Sequence, residues 1–441
     1  MTPDLLIVGA GPAGLGAATE ASAHGLSVML LDENSGPGGR IWQALETRGA
    51  RDADETAALA LIRRFRASPA RTHWNAAVWA IEPDGTVFWS DADGAHSVLA
   101  RNVLLATGTT ERPMPIAGWT LPGVMTVGAA QIALKTGGLV PDANTWLAGQ
   151  GPLLLLYATQ VLDAGGQLAG IIDLSDGLAP LRALRYVSLA AMPEIRRGLA
   201  WRRRLSEAGV RWIAASEIRA EGPDPATPDS PNLRAVSFRI RDGWRTEPAD
   251  LLLLHDGVIP SVQITRALGC AHTWSDTQRC WQPVVDASGR TSVPGIMVAG
   301  DGAGIGGAAA AELSGRIAAL ALAGRDASAL RAERARCLAA RPLLDALFPP
   351  RPMRLDDTTL VCRCEEVSAG AVRLAVRAGC QGMNQLKAYT RCGMGPCQGR
   401  MCGPVAIEVL AAARGVPVPA VEPLRTRFPT KPVSVGELAG L

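Results

Sequence analysis

Nine cysteines are spread unevenly over the 441 residues: none precedes Cys270, and six (Cys362, Cys364, Cys380, Cys392, Cys397 and Cys402) fall between positions 362 and 402. Clustering of this kind in a reducing compartment argues for metal rather than disulfides. The pairs Cys362-Arg363-Cys364 and Cys397-Gln398-Gly399-Arg400-Met401-Cys402 supply four thiolates, enough for a [2Fe-2S] cluster, and the glycines around them let backbone N–H groups turn toward sulfur. Cys402 opens a predicted helix, where the positive dipole end favours a thiolate. Four thiolates also make a structural zinc site, but a C-x-C followed by a C-x4-C is unlike the usual C-x2-C zinc pairs. Cys392 and Cys380 read as small buried residues. Arg363, Lys387, Arg391 and Arg400 either offset the negative cluster or are ordinary solvated charges.

A second chemistry lies at the N-terminal end. The apolar run Leu5–Val8 enters Gly9-Ala10-Gly11-Pro12-Ala13-Gly14, an Ala-rich helix follows as far as Gly25, and Leu26–Leu31 resumes as a strand ending at Asp32. This is a βαβ unit with a G-x-G-x-x-G turn. Gly9 permits the tight turn, Gly11 lets a pyrophosphate approach the backbone, and Gly14 lets helix and strand pack closely. The helix N-terminus, with Pro12 and Ala13, faces the phosphates, and Asp32 stands where an acid takes ribose hydroxyls. Three further segments belong to the same expectation: Gly36-Pro37-Gly38-Gly39-Arg40, Leu104-Leu105-Ala106-Thr107-Gly108, and Val298-Ala299-Gly300-Asp301-Gly302. Asp301 also suits an N-cap on the helix that follows.

A weaker copy of the unit begins at Trp146-Leu147-Ala148-Gly149-Gln150-Gly151 and runs through a helix to Gly165 and a strand to Asp173. Its third glycine position is Leu154, Ile172 stands where Asp32 stands in the first unit, and no arginine pair closely follows the strand. Three readings stay open for Gly149 and Gly151: an NADH site, a site for another adenine nucleotide, or a duplicated fold without ligand.

Positioning these sites requires an α/β architecture of two interleaved Rossmann-like dinucleotide-binding domains and a small α-helical [2Fe-2S] domain. The expected boundaries are 1–115 with 250–328 for the first nucleotide domain, 116–249 for the inserted one, 329–357 for a linker, 358–412 for the cysteine module and 413–441 for a Pro-rich tail, loose or wrapped on a partner. The excess of glycine, 48 residues against a usual share of ~7%, falls in the expected turns. The 44 basic residues nearly balance the 41 acidic ones, and no like-charge block would track phosphates, which excludes nucleic acid. No run of about 20 clean apolar residues offers a membrane span. The N-terminus enters a strand without a signal-peptide pattern, so the expected location is cytoplasmic, with peripheral attachment at the inner membrane face left open. The five histidines form no ligand-spaced or triad-like set. His255, after Leu251–Leu254, reads as a packed strand-end residue near the first nucleotide site.

The glycine segments, in this order, resemble the two-dinucleotide-domain flavoproteins related to glutathione and thioredoxin reductases. The resemblance implies FAD held by Gly9, Gly11, Pro12, Ala13, Gly14, Asp32, Thr107, Gly108, Gly300 and Asp301, with Gly39 and Arg40 at the flavin end and Val78 offering its backbone to the adenine. Cys270 and Cys280 are too far apart in a polar stretch for the disulfide chemistry of those reductases. The cysteine module resembles bacterioferritin-associated ferredoxin, except that its second pair is spaced by four residues instead of two. That likeness implies Cys362, Cys364, Cys397 and Cys402 as ligands. Three longer strings, Glu111–Val124, Gly289–Gly295 and Gly393–Cys402, look like the FAD-containing large subunit of opine oxidases, hydrogen cyanide synthase and heteromeric proline or D-hydroxyproline dehydrogenases. The implied function is electron relay for a second flavoprotein subunit of the D-amino-acid or sarcosine-oxidase type, which oxidises the amine. The same likeness leaves room for a small third subunit, for ATP or NAD at the second turn, for a flavin shared with the partner, and for the respiratory chain as acceptor. The alternatives are a stand-alone NAD(P)H-dependent flavo-iron-sulfur reductase and a non-enzymic iron or redox sensor.

Overall fold

The computed structural model describes residues 2–223 and 232–441 and divides into two units. The first comprises 2–110, 258–339 and 425–441. Its centre is a parallel five-stranded sheet ordered Ile296–Val298, Val103–Leu105, Leu5–Val8, Val28–Leu31, Arg71–His73. All of these strands but Arg71–His73 are apolar and buried throughout, as a parallel sheet covered on both faces demands. Helices Pro12–Ala23, Ala53–Arg66 and Ala308–Leu322 cover one face. The antiparallel strands Ala77–Ile81, Thr86–Asp91 and Gly94–Leu99 contribute to the core on the other.

Helices Pro12–Ala23 and Ala308–Leu322 meet backbone to backbone. A Cβ on Gly315 would stand 1.9 Å from the Ala13 carbonyl oxygen, so no side chain fits between them. The Pro-rich tail is neither loose nor spare. Its last part belongs to this unit, where Phe428 joins the core, the Thr430 amide donates to the Trp79 carbonyl at 2.8 Å and Lys431 pairs with Glu33. The ladder between Val78 and Ala80 is irregular, which leaves Trp79 out of register and its carbonyl available to Thr430.

The second unit comprises Glu111–Gly257 and Ala340–Leu424, less the undescribed residues. Its parallel sheet runs Arg211–Ala214, Gly170–Asp173, Thr145–Gln150, Leu251–Asp256, Val124–Thr126. The strand Leu251–Asp256, assigned by the sequence boundaries to the first nucleotide domain, belongs here. It pairs residue for residue with Thr145–Gln150 and with Val124–Thr126 on its other side, as an inner strand of the inserted fold. An antiparallel sheet of Glu217–Glu221, Ala235–Ile240 and Gly243–Pro248 flanks it.

The cysteine module packs helices Ala369–Arg377, Met383–Thr390 and Cys402–Arg414 around Val372, Leu386, Val405 and Leu410. Ser368 caps the first helix by accepting the Ala371 amide at 3.2 Å. Arg391 ends the second in the left-handed region, at φ 62°. The segment expected to be a mere linker is ordered by packing: in Arg341–Leu347, Leu343 is buried with Ala183 and Ala191.

Gly315→Ala should cost about 1–3 kcal/mol or more in chemical denaturation, because its Cβ drives the two helices apart. Gly198→Ala, mid-helix with open space at its Cβ, should gain about 0.5–1 kcal/mol.

Candidate cofactor sites

Three separated segments of the first unit converge on the Gly9–Gly14 turn. A Cβ on Gly14 would lie 1.8 Å from the Gly9 carbonyl oxygen, one on Gly39 would lie 2.8 Å from the Gly11 Cα, and one on Gly300 would lie 2.9 Å from the Ala13 Cβ. Gly302 approaches the Gly108 carbonyl at 3.6 Å, whereas the Cβ direction of Gly11 meets nothing within 4 Å. The result is a backbone-lined cradle with open space at Gly11, in front of a helix whose first residue, Pro12, has no N–H to satisfy. Positive helix end and absent side chains fit a dinucleotide pyrophosphate.

The side chains around the cradle hold its loops. Asp32 is buried; its Oδ2 accepts the Ala10 amide at 2.5 Å and its Oδ1 accepts the Asn34 amide and Nδ2, both at 2.7 Å. Burial raises its pKa against the pull of those donors. Asp32 thus ties the turn to the strand end. Asp301 Oδ1 accepts the Gly306 and Gly307 amides, each at 2.9 Å, closing the loop before a helix that starts at Ala308. Arg40 is exposed and pairs with Glu33 at 3.1 Å. Thr107 Oγ1 donates to the Ser261 carbonyl at 3.4 Å, and Val78 is a buried strand residue opposite Trp89.

The second turn has the same frame and a different content. A Cβ on Gly149 would lie 1.7 Å from the His255 carbonyl oxygen, and one on Gly151 would lie 3.4 Å from the His255 ring. Leu154, in the third glycine position, is buried in the core beneath. From Thr145–Gln150 the sheet extends to one side through Gly170–Asp173 and to the other through Leu251–Asp256, so the crevice at the ends of Thr145–Gln150 and Leu251–Asp256 is where such folds bind dinucleotides. Here the chain occupies it. Gln150 Nε2 donates to Asp256 Oδ1 at 2.7 Å and to the Pro349 carbonyl at 2.8 Å. His255 Nδ1 lies 2.6 Å from Glu111 Oε1, and Glu111 Oε2 accepts the Gly128 amide at a helix start. Burial raises the Asp256 pKa, opposed first by the charges of Arg351 and Arg112. His255 is therefore a packed strand-end residue, but of the second sheet and at the second turn instead of the first.

Beside this network a cleft of about 450 Å³ opens past the ends of Gly170–Asp173 and Arg211–Ala214, lined by Ser175, Ser216, Arg239, Arg241 and Arg351 among others. The sequence showed no arginine pair after the strand because these arginines arrive from Ala235–Ile240, from the turn after it and from the segment following Pro349.

In the cysteine module the Sγ atoms of Cys362, Cys392 and Cys402 all lie within 4.8 Å of one another, and all three residues are buried. Cys402 also hydrogen-bonds Cys397, whose thiol that bond lowers to about 5, whereas Cys402 itself is pushed up by its bonds to Cys392 and Cys397. Cys364 meets the Cys397 backbone and thiol, and its Sγ stands 3.0 Å from the Cβ direction of Gly395. The five thiols thus form two groups joined through Cys402. Cys392, read from the sequence as a small buried residue, is buried, and its Sγ also stands in the inner group. Cys380 bonds the Gly382 carbonyl instead. Two of the nearby cations have other partners: Arg391 pairs with Glu365 at 2.8 Å, and Arg363 lies over the Trp119 ring at 4.9 Å. Trp119 Nε1 donates to the Leu360 carbonyl at 2.9 Å. Motif reading missed Trp119, Glu111, Gln150, Asp256 and Arg351. The one available signal was a bulky amide, Gln150, between two turn glycines.

Residues 3–327 match the pyridine nucleotide-disulphide oxidoreductase family and 357–441 the sarcosine oxidase A3 domain. The chain is 42% identical to an opine oxidase subunit of Rhizobium meliloti (strain 1021) over 99% of its length and 98% of that protein. It is 33% identical to hydrogen cyanide synthase subunit HcnB of Pseudomonas aeruginosa, covering 97% of this chain and 96% of the other. The fold is that of L-proline dehydrogenase from P. horikoshii, with a TM-score of 0.72 at 20% identity over 99% of this chain and 79% of that one. The chain belongs to the pyridine nucleotide-disulphide oxidoreductase family, together with this opine oxidase subunit, and is a flavoprotein oxidoreductase.

Proposed function

We propose that this chain is the FAD- and [2Fe-2S]-containing electron-transfer subunit of a heteromeric dehydrogenase acting on a CH–NH donor of the opine or hydroxyproline type. The amine is oxidised on a partner flavoprotein subunit of the D-amino-acid or sarcosine-oxidase type, and the electrons leave toward the respiratory chain. The observation that carries this reading is the filled crevice of the second fold. With Gln150 bridging Asp256 and the Pro349 carbonyl, the usual entry for a nicotinamide cofactor is closed, while the cradle at Gly11 stays open. A donor other than NAD(P)H is then needed. The similarity to chains named as subunits supports a partner that supplies one.

In this reading Gly9, Gly11, Pro12, Ala13 and Gly14 hold the pyrophosphate, with Asp32, Gly39, Arg40, Val78, Thr107, Gly108, Gly300 and Asp301 around the FAD. A bound flavin takes two electrons and an iron-sulfur cluster passes them singly. A [2Fe-2S] rhomb needs one pair of thiolates for each iron. Cys364 with Cys397 would make one pair and Cys362 with Cys402 the other, leaving Cys392 as a buried thiol beside Cys362 and Cys402. The arginine-lined cleft favours a second occupant, an adenine nucleotide such as ATP or NAD, held beside Ser175, Ser216 and Arg239, outside the filled crevice at Gly149 and Gly151 and without hydride transfer.

NADH and NADPH should leave the flavin oxidised in the isolated chain, and an amine substrate should reduce an added dye only when the partner subunit is present. Rapid bleaching of the flavin by NADH alone would establish the stand-alone reductase instead. Cys402→Ser should lose iron and acid-labile sulfide together, whereas Cys392→Ser should retain both. Zinc in place of iron, or iron lost from Cys392→Ser and kept in Cys402→Ser, would overturn the ligand set.

A further inference from the structure

The segment between Asp176 and Glu207 carries the largest group of exposed aliphatic side chains in the second unit. Leu178, Leu181, Leu184 and Leu199 are each between 61 and 66% exposed, and Leu189 is 93% exposed. They belong to a run of short helices, Ala179–Ala183, Leu184–Tyr186 and Leu189–Ala191, followed by the longer helix Met192–Glu207. The run already has a core of its own. Ala179, Ala183 and Ala191 are buried, and the last two meet Leu343 of Arg341–Leu347. Leu178, Leu181 and Leu184, spaced three apart, point the other way. An ordinary surface helix would be polar on that outer side. This one is apolar on both.

The charged residues in between are mostly basic. Seven arginines (Arg182, Arg185, Arg196, Arg197, Arg202, Arg203 and Arg204) stand against three acids (Asp176, Glu194 and Glu207), more net positive charge than the +3 of the whole chain. All seven arginines are exposed, although Arg182, Arg197, Arg203 and Arg204 pair with Asp176, Glu194, Glu207 and Asp163, so that Arg185, Arg196 and Arg202 carry most of the charge available to a docking partner. Arg196, Arg202 and Arg203 are three or four positions from Leu199 and share its side of the helix. Leucines at the outer surface, ringed by arginines whose aliphatic stems can lie along an apolar layer, match a surface that is oily within and anionic at its rim. A protein interface of this size would carry more aromatic anchors, and Tyr186, stacked under Arg185, is the one aromatic among these outward residues.

We propose that the Leu178–Leu199 face docks the protein on an anionic phospholipid surface, with the leucines entering the headgroup boundary and the arginines pairing with lipid phosphates. The face shares no residue with the Gly9–Gly14 cradle or with the cysteine module, so its test does not depend on the proposed function.

The full chain should float with vesicles of phosphatidylglycerol and phosphatidylethanolamine, and binding should fall by about tenfold with phosphatidylcholine vesicles or at high salt. Leu184→Glu with Leu189→Glu should weaken flotation by about tenfold at unchanged flavin content and thermal midpoint. Arg185→Glu with Arg196→Glu should do the same through charge alone, and decides the matter if the leucine variant fails to fold. The proposal is overturned if the parent chain stays unbound with anionic vesicles or if both variants float as it does. It is equally overturned if sedimentation finds a dimer, or a complex with the partner subunit, that Leu189→Glu dissolves while lipid binding is unchanged.

Discussion

Much of the first unit depends on two backbones touching. The Ala13 carbonyl lies where a side chain on residue 315 would be, and a Cβ on Gly16 would meet the Glu312 carbonyl at 2.7 Å. That contact sets helix Ala308–Leu322 directly against Pro12–Ala23 and so carries Gly300 to within reach of Ala13. The cradle is a consequence. A pyrophosphate needs N–H groups and space with no side chain to displace, and the chain provides both by bringing glycine-bearing segments from positions near 10, 39, 108 and 300 to one point. Asp32 and Asp301 then hold the loops by accepting backbone amides. Their carboxylates serve the architecture whether or not they also reach the ligand.

The second unit repeats the frame and reverses the outcome. Gly149 still lies under a neighbouring strand, with the His255 carbonyl at 1.7 Å from its Cβ direction. What changes is the residue between the glycines. Ala10 in the first turn offers only its backbone, its N–H to Asp32 and its carbonyl to the Gly38 amide. Gln150 in the second has a side-chain amide that reaches a buried carboxylate and a carbonyl from 199 residues away. A buried amide left without partners would cost about 1–3 kcal/mol, so Gln150 Nε2 favours the arrangement in which Pro349 stays over the crevice.

The parts of the fold that were legible in the sequence share one property: they are enforced by steric exclusion. A position where a Cβ would stand 2 Å from a carbonyl must be glycine, and so both turns, the strand after each helix and the order of the glycine segments could be read directly. Thiols are legible for a similar reason, since few other residues do their chemistry. The polar network around Gln150 was not legible, because Glu111, Asp256, Pro349 and Arg351 are ordinary residues brought together only by tertiary structure. Leu251–Asp256 was placed in the wrong sheet for the same reason: an apolar strand records that it is buried, not against what. The tail looked unstructured because five prolines interrupt any regular element that could make a core alone, yet Phe428 and Thr430 needed only to join an existing one.

The closed crevice and the cysteine module are joined by one stretch of chain. Between Ala340 and Cys362 the backbone packs Leu343 on the Ala179–Ala183 helix, lays the Pro349 carbonyl on Gln150, sends Arg351 toward Asp256 and brings Leu360 to the Trp119 indole. Each is an attachment to the inserted fold, and the residues on either side of Cys362 are held most directly: Trp119 donates its N–H to the Leu360 carbonyl and takes the Arg363 guanidinium on its ring face. The Cys362-Arg363-Cys364 loop is therefore gripped on both sides by a residue of the other fold. A nucleotide in the crevice would compete with Pro349 and loosen this stretch at its centre. With the crevice filled in this way the inserted fold braces the stretch that carries the thiols, and the proposed relay would require such a fixed position for a cluster held there.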